Sequence, residues 1–140
     1  MPSGTPQRVE REPIEVMCVR EEGDPVDDIE IAKRVWERLE RPLQLRGRKF
    51  YGLFFPSPPA YVAAVALADG DDPEALGFER ATIPGGAYLR MRIRGEPPEL
   101  YSQIGPGFAE LLRTAQVDES RPSVEFYRRH DEIDLLLPIT

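Results

Sequence analysis

At 140 residues the chain has room for one domain, or for two small repeats sharing a core. Its net charge of −7, from 25 acidic against 18 basic residues, repels phosphate backbones, so direct nucleic-acid binding is not expected. One cysteine and one histidine exclude an intrachain disulfide and leave no Cys/His set for zinc.

No run of about 18 apolar residues occurs, so no membrane span is expected. Residues 1–10 lack the apolar stretch of a signal peptide and read as a flexible lead-in. Glu12 to Arg20 alternates as a first strand, with Ile14, Val16 and Cys18 on one face and Glu15, Met17 and Val19 on the other. Cys18 reads as a small core residue, and a lone thiol fits a reducing cytoplasmic setting. Asp24 with Pro25 behind it predicts a helix start, and the spacing of Ile29, Ala32, Val35, Trp36 and Leu39 carries the helix to about Glu40. Trp36 reads as its core anchor.

Arg48 to Phe55 predicts a second strand and Tyr61 to Leu67 a third, joined rigidly through Pro56, Pro58 and Pro59. Residues 68–73 form a polar loop, and Glu74 to Arg80 is irregular or a short edge strand. Pro84-Gly85-Gly86 turns the chain into the alternating strand 87–94, with Leu89, Met91 and Ile93 toward a core and Tyr88, Arg90, Arg92 and Arg94 away from it. Glu96-Pro97-Pro98 opens a second helix bearing Leu100, Ile104, Phe108, Leu111, Leu112 and Ala115, which Gly105-Pro106-Gly107 must kink or interrupt.

The strand over 121–129 puts Val124, Phe126 and Arg128 on one face and Ser123, Glu125 and Tyr127 on the other. Val124 and Phe126 read as its core contacts. His130-Asp131 is a hairpin turn into the last strand, 132–139. On a wet sheet face Glu125 is an ordinary solvated residue. On a covered face its carboxylate must be protonated, paired or awaiting a cationic or polarisable ligand.

Both halves therefore read strand, helix, strand, strand, over about 11–68 and 76–140. A shift of 74 residues sets Met17 against Met91, Val19 against Ile93, Tyr51 against Glu125 and Leu53 against Tyr127. The expected fold is α+β: two β-α-β-β repeats in one antiparallel sheet, both helices on one face, and a ligand groove between the halves.

Phe50-Tyr51-Gly52-Leu53-Phe54-Phe55, Tyr61-Val62-Ala63-Ala64-Val65, Ile83-Pro84-Gly85-Gly86-Ala87-Tyr88, Arg94-Gly95, Val124-Glu125-Phe126-Tyr127 and Asp134-Leu135-Leu136-Leu137-Pro138-Ile139 occur here in the order and spacing of a known family. Over roughly residues 11–140 the chain resembles the GyrI-like small-molecule-binding domain, which is also the effector-binding part of some AraC-type and MerR-type regulators and is related to the SOUL fold. The resemblance implies a stand-alone binder of lipophilic, often aromatic or cationic compounds, with Glu125 as the central acidic residue. It implies a groove lined by aromatic side chains, for which strand parity offers Tyr51, Phe55, Tyr88 and Tyr127, with Leu53 and Arg90 as further candidate ligand-binding residues. Some stand-alone members are similar to hydrolases of cyclopropanoid genotoxins, which implies catalytic use of Glu125 with Tyr51 or Tyr127. The family's gyrase-inhibitor members imply a third reading, a protein-interaction module.

With about ten residues before the first strand, no helix-turn-helix is expected. Arg90 and Arg92, on the face of Tyr88, would partly neutralise Glu125 and favour an anionic or neutral ligand, or would simply line a wet face. Haem would need His130 or a methionine as axial ligand, and neither is placed for it; no cofactor or metal is expected.

Overall fold

The computed structural model describes residues 5–140. In chain order the elements are β1 (Gln7–Arg11), β2 (Ile14–Glu22), α1 (Glu30–Glu40), β3 (Phe50–Pro56), β4 (Pro59–Ala66), α2 (Pro73–Leu76), β5 (Glu79–Ile83), β6 (Gly86–Arg94), a 3-10 turn (Glu99–Gln103), α3 (Ile104–Thr114), β7 (Ser123–Arg129) and β8 (Glu132–Pro138). The fold is α+β, and its eight strands belong to one antiparallel sheet, as expected. Among the described residues, no helix is long and apolar enough to cross a membrane. The chain divides into two compact units, Pro13–Pro84, and the residues through Glu12 together with Gly85–Thr140. Part of the expected flexible lead-in, residues 1–4, lies outside the described residues. The rest is corrected over residues 7–10, which belong to β1, paired along β6.

In the unit 13–84 the strands are ordered β3-β4-β2-β5. Met17, Val19, Tyr61, Ala63 and Val65 form one apolar surface, and α1 lays Ile31, Val35 and Leu39 on it, with Ala32 and Trp36 half-buried alongside. The helix starts at Glu30, later than the Asp24-Pro25 signal suggests. Asp24 closes a turn instead. Its carboxylate accepts from the Val26 N–H at 2.9 Å, and its carbonyl accepts from the Asp27 and Asp28 N–H groups. Ile29 therefore precedes the first turn and is 76% exposed, while Ile31, absent from the expected core, is buried. Ile31, Val35 and Leu39 follow the i, i+4, i+8 rule of a single helical stripe. The consequence is measurable by urea denaturation: Ile29→Ser is expected to change stability by less than about 0.5 kcal/mol, and Ile31→Ala to cost about 2–4 kcal/mol.

In the other unit the order is β1-β6-β8-β7. Met91, Ile93, Ile133, Leu135 and Leu137 form the surface under α3, joined by Leu100 from the 3-10 turn and Leu111 from α3. Gly105-Pro106-Gly107 does not break a long helix. The chain makes the 3-10 turn first, and α3 then starts at Ile104 with Pro106 in its first turn, where no intrahelical N–H bond is required. Every residue of β8 is buried, so this strand is covered on both faces.

Candidate functional site: the Glu125 and Tyr127 pair

Register assigns the faces of β7. Glu125 lies opposite Leu135, which lies opposite Met91; Tyr127 lies opposite Ile133, which lies opposite Ile93. Residues directly opposite in a sheet share a face. Met91, Ile93, Ile133 and Leu135 are the surface under α3, and Tyr127 packs against it. Glu125 and Tyr127 thus occupy the α3 side of the sheet. By apolar alternation, Val124 and Phe126 are the expected core side of this strand. They lie on the opposite face, Val124 across from Leu136 and Phe126 across from Asp134. Both faces are covered at β8, so apolar letters alone do not say which one carries the helix.

On that α3 side the Tyr127 hydroxyl donates to Glu125 Oε1 at 2.5 Å, with both side chains half-buried. A phenol donating to a carboxylate is a charge-assisted bond, strengthened by a setting poorer in water. It fixes the carboxylate beside an aromatic ring. Chemically the pair can offer negative charge and a π face to a cation, or a base and an acid to a reacting group.

The opposite face of the same unit is an ion-pair lattice. Arg92 holds Asp134 bidentately, with Nε to Oδ1 at 2.7 Å and Nη2 to Oδ2 at 3.1 Å. Glu132 accepts from Arg94 at 2.8 Å and also from Arg128. These arginines hold the Glu132 carboxylate below its usual range, the Arg94 hydrogen bond foremost. Arg90 donates to Gln7 at 2.6 Å. Tyr88 is buried beneath the Arg121 guanidinium, whose Cζ stands 4.9 Å from the ring centre. Burial raises the Tyr88 phenol above its ordinary pKa, with Arg121 opposing. Arg121 also donates to the carbonyls of Ala87 and Ile139 and to Asp118, tying the start of β6 to the end of β8. Tyr88 and Arg90 therefore lie on the face away from Glu125, and so does Arg92, which binds Asp134 there.

In the unit 13–84, Tyr51 pairs with Ala64 and Leu53 with Val62, on the face away from α1; both are buried. Phe55 shares their parity, with the Arg20 guanidinium 5.1 Å from its ring centre. The α1 side of β3 carries Phe50 and Phe54 instead. The registers explain why. Val65 faces both Met17 and Phe50, and Leu135 faces both Met91 and Glu125. With Met17 matched to Met91, the place of Glu125 is held by Phe50, one residue from the Tyr51 that the 74-residue shift selects. On the α1 side the Trp36 indole N–H donates to the Tyr61 hydroxyl at 3.1 Å, and the Trp36 and Phe50 rings stand 6.1 Å apart. The sequence places Tyr61 in a strand and Trp36 in the core of the helix, and their hydrogen bond adds a contact that spacing alone does not reveal. Among the described residues, no group of three His, Cys, Asp or Glu side chains is placed to hold a metal ion.

No protein-family model matches this chain, and no curated protein matches it. Solved structures do. An integron cassette protein from the mobile metagenome of Vibrio cholerae superposes with a TM-score of 0.77 at 17% identity, over 98% of this chain and 96% of that one. The SAV2435 protein, solved bound to tetraphenylphosphonium, gives 0.68 at 13% identity, over 97% and 94%. A hydrolase from Listeria innocua gives 0.55 at 13% identity, over 100% and 94%. At such identities the likeness is one of fold. The chain has a fold in which a small organic cation is bound by another protein.

Proposed function

We propose that this chain binds lipophilic or aromatic small molecules, organic cations first, with Glu125 as the acidic contact and Tyr127 beside it, in the manner of a GyrI-like domain. The observation that carries this reading is the Glu125–Tyr127 pair, a carboxylate fixed at 2.5 Å by a phenol on the apolar, helix-covered side of the sheet. A delocalised cation loses little hydration on entering such a setting and gains both the charge and the ring. The tetraphenylphosphonium held by a protein of the same fold supports the choice of ligand.

Titration calorimetry and thermal shift with tetraphenylphosphonium provide the test, since a ligand of the native state raises the melting temperature by linkage. Glu125→Gln is expected to weaken binding about 10–100-fold, the worth of one charge-assisted contact. Tyr127→Phe is expected to weaken it less, because the carboxylate stays. Equal affinity in wild type and Glu125→Gln would remove Glu125 from the site.

The same pair supports one second reading, a hydrolase of cyclopropanoid or other electrophilic compounds, with Glu125 as general base toward water and Tyr127 as acid. The fold shared with a Listeria innocua hydrolase supports it. Turnover of a cyclopropanoid above the buffer rate, lost in Glu125→Gln, favours this reading; a stoichiometric complex without product returns the protein to binding alone.

A further inference from the structure

We propose that the outer edge of β1 is a contact for a second copy of this chain, paired antiparallel about Val9. β1 ends the strand order, and among the described strands it pairs only with β6. The N–H and C=O groups on its other edge make it a template for strand addition. The sequence Gln7-Arg8-Val9-Glu10-Arg11 selects the partner.

A twofold axis perpendicular to the sheet keeps each face on its own side, so a self-paired strand can be centred only on a residue. Centring on Arg8 sets Arg8 against the partner's Arg8. Centring on Glu10 sets Glu10 against the partner's Glu10. Like charges directly opposite are destabilising. Centring on Val9 sets Arg8 against the partner's Glu10, Glu10 against the partner's Arg8, Gln7 against the partner's Arg11, and Val9 on the axis. Within one chain Arg8 and Glu10 already share a face, with Arg8 Nη2 3.0 Å from Glu10 Oε1, and both are well exposed. In the pair, those four charges alternate in sign.

The other edge strand, β5, has no such register. Arg80 is held by Glu74, and centring on Ala81 would set Glu79 against Ile83 and Arg80 against Thr82. The β1 contact is isologous and closes at two copies. With five residues on each side it lies below the roughly 1,200 Å² of a stable interface, so the dimer is weak and reversible.

Sedimentation equilibrium of the full chain, from about 10 μM to about 1 mM at low salt, tests it. Wild type is expected to show a monomer–dimer equilibrium within that range. Glu10→Arg, which sets arginines face to face, is expected to weaken it at least about tenfold. The charge exchange Arg8→Glu with Glu10→Arg restores every opposite-sign pair and is expected to return the dimer. A wild type that stays monomeric throughout, a dimer indifferent to Glu10→Arg, or an exchange variant no better than the single one would overturn the proposal.

Discussion

Gly107→Val is expected to destabilise the fold by about 3 kcal/mol or more, by the cost of forcing a branched side chain into a filled core. A Cβ built at Gly107 stands well inside van der Waals contact with Leu135 Cδ1, and 3.5 Å from Met91 Sδ. Both neighbours are themselves buried. The glycine lets the first turn of α3 lie directly on β8 and β6, so there is no space for a side chain. Gly107→Ala should cost less, because the gain in helix propensity, about 1 kcal/mol, offsets part of the overlap. The control is two residues away. Gly105 lies in the same turn, and a Cβ there meets nothing within 4 Å. Gly105→Ala is expected to be neutral, or to stabilise by up to about 1 kcal/mol. Urea denaturation of the three variants gives the answer. Equal effects at the two positions would mean that α3 does not sit on the sheet as closely as described.

That contrast also shows what the sequence could and could not say. Gly105-Pro106-Gly107 reads as a helix breaker by letter, yet one glycine is a contact and the other is not. Only the packing of Leu135 separates them. The strands were legible where one face is apolar and the other charged, as in β6, with Met91 and Ile93 against Arg92 and Arg94. They were legible as strands but not by face where both sides are covered. β8 is buried throughout, and in β7 Val124 and Tyr127 pack on opposite sides of the sheet. This is why the pairing of Glu125 with Tyr127 followed from strand parity, while the assignment of their face to α3 needed the register. β1 was missed because its charged letters carry no alternation that a strand template detects. The helix start was misplaced because Asp24 followed by Pro25 serves a turn as well as it serves a cap. Tyr51 was matched to Glu125 by a single shift for the whole repeat. The two hairpins are offset differently from their first strands, so the shift fails by one residue, and in a strand one residue changes the face.

The second large effect concerns the ion pairs on the other face, and it should be asymmetric. Asp134 is 2% exposed, whereas the Arg92 side chain keeps 27% of its surface in contact with water. The size of the loss depends on which charge is left behind. Arg92→Ala removes both hydrogen bonds from a carboxylate that is buried in the folded sheet, and breaking a buried pair in that way costs about 3–5 kcal/mol. Asp134→Ala strands a guanidinium that is partly solvated and has the Glu132 carboxylate 3.6 Å away, so its cost should fall to about 1–2 kcal/mol, nearer the value of an exposed pair. Removing both charges, as Arg92→Met with Asp134→Leu, should recover most of the larger loss, because apolar side chains of similar size replace an ion pair at little net cost. For a chain of 140 residues, the loss in Arg92→Ala corresponds to a fall in melting temperature of roughly 10–15 °C. The double-mutant cycle measured by thermal and urea unfolding decides the matter. If the two single variants lose equal amounts, desolvation of Asp134 is not what makes the pair matter. If the double variant is no better than Arg92→Ala, the lattice acts through shape and not through charge. Because these side chains lie on the face away from Glu125, their variants should leave tetraphenylphosphonium affinity within about threefold of wild type wherever the protein stays folded.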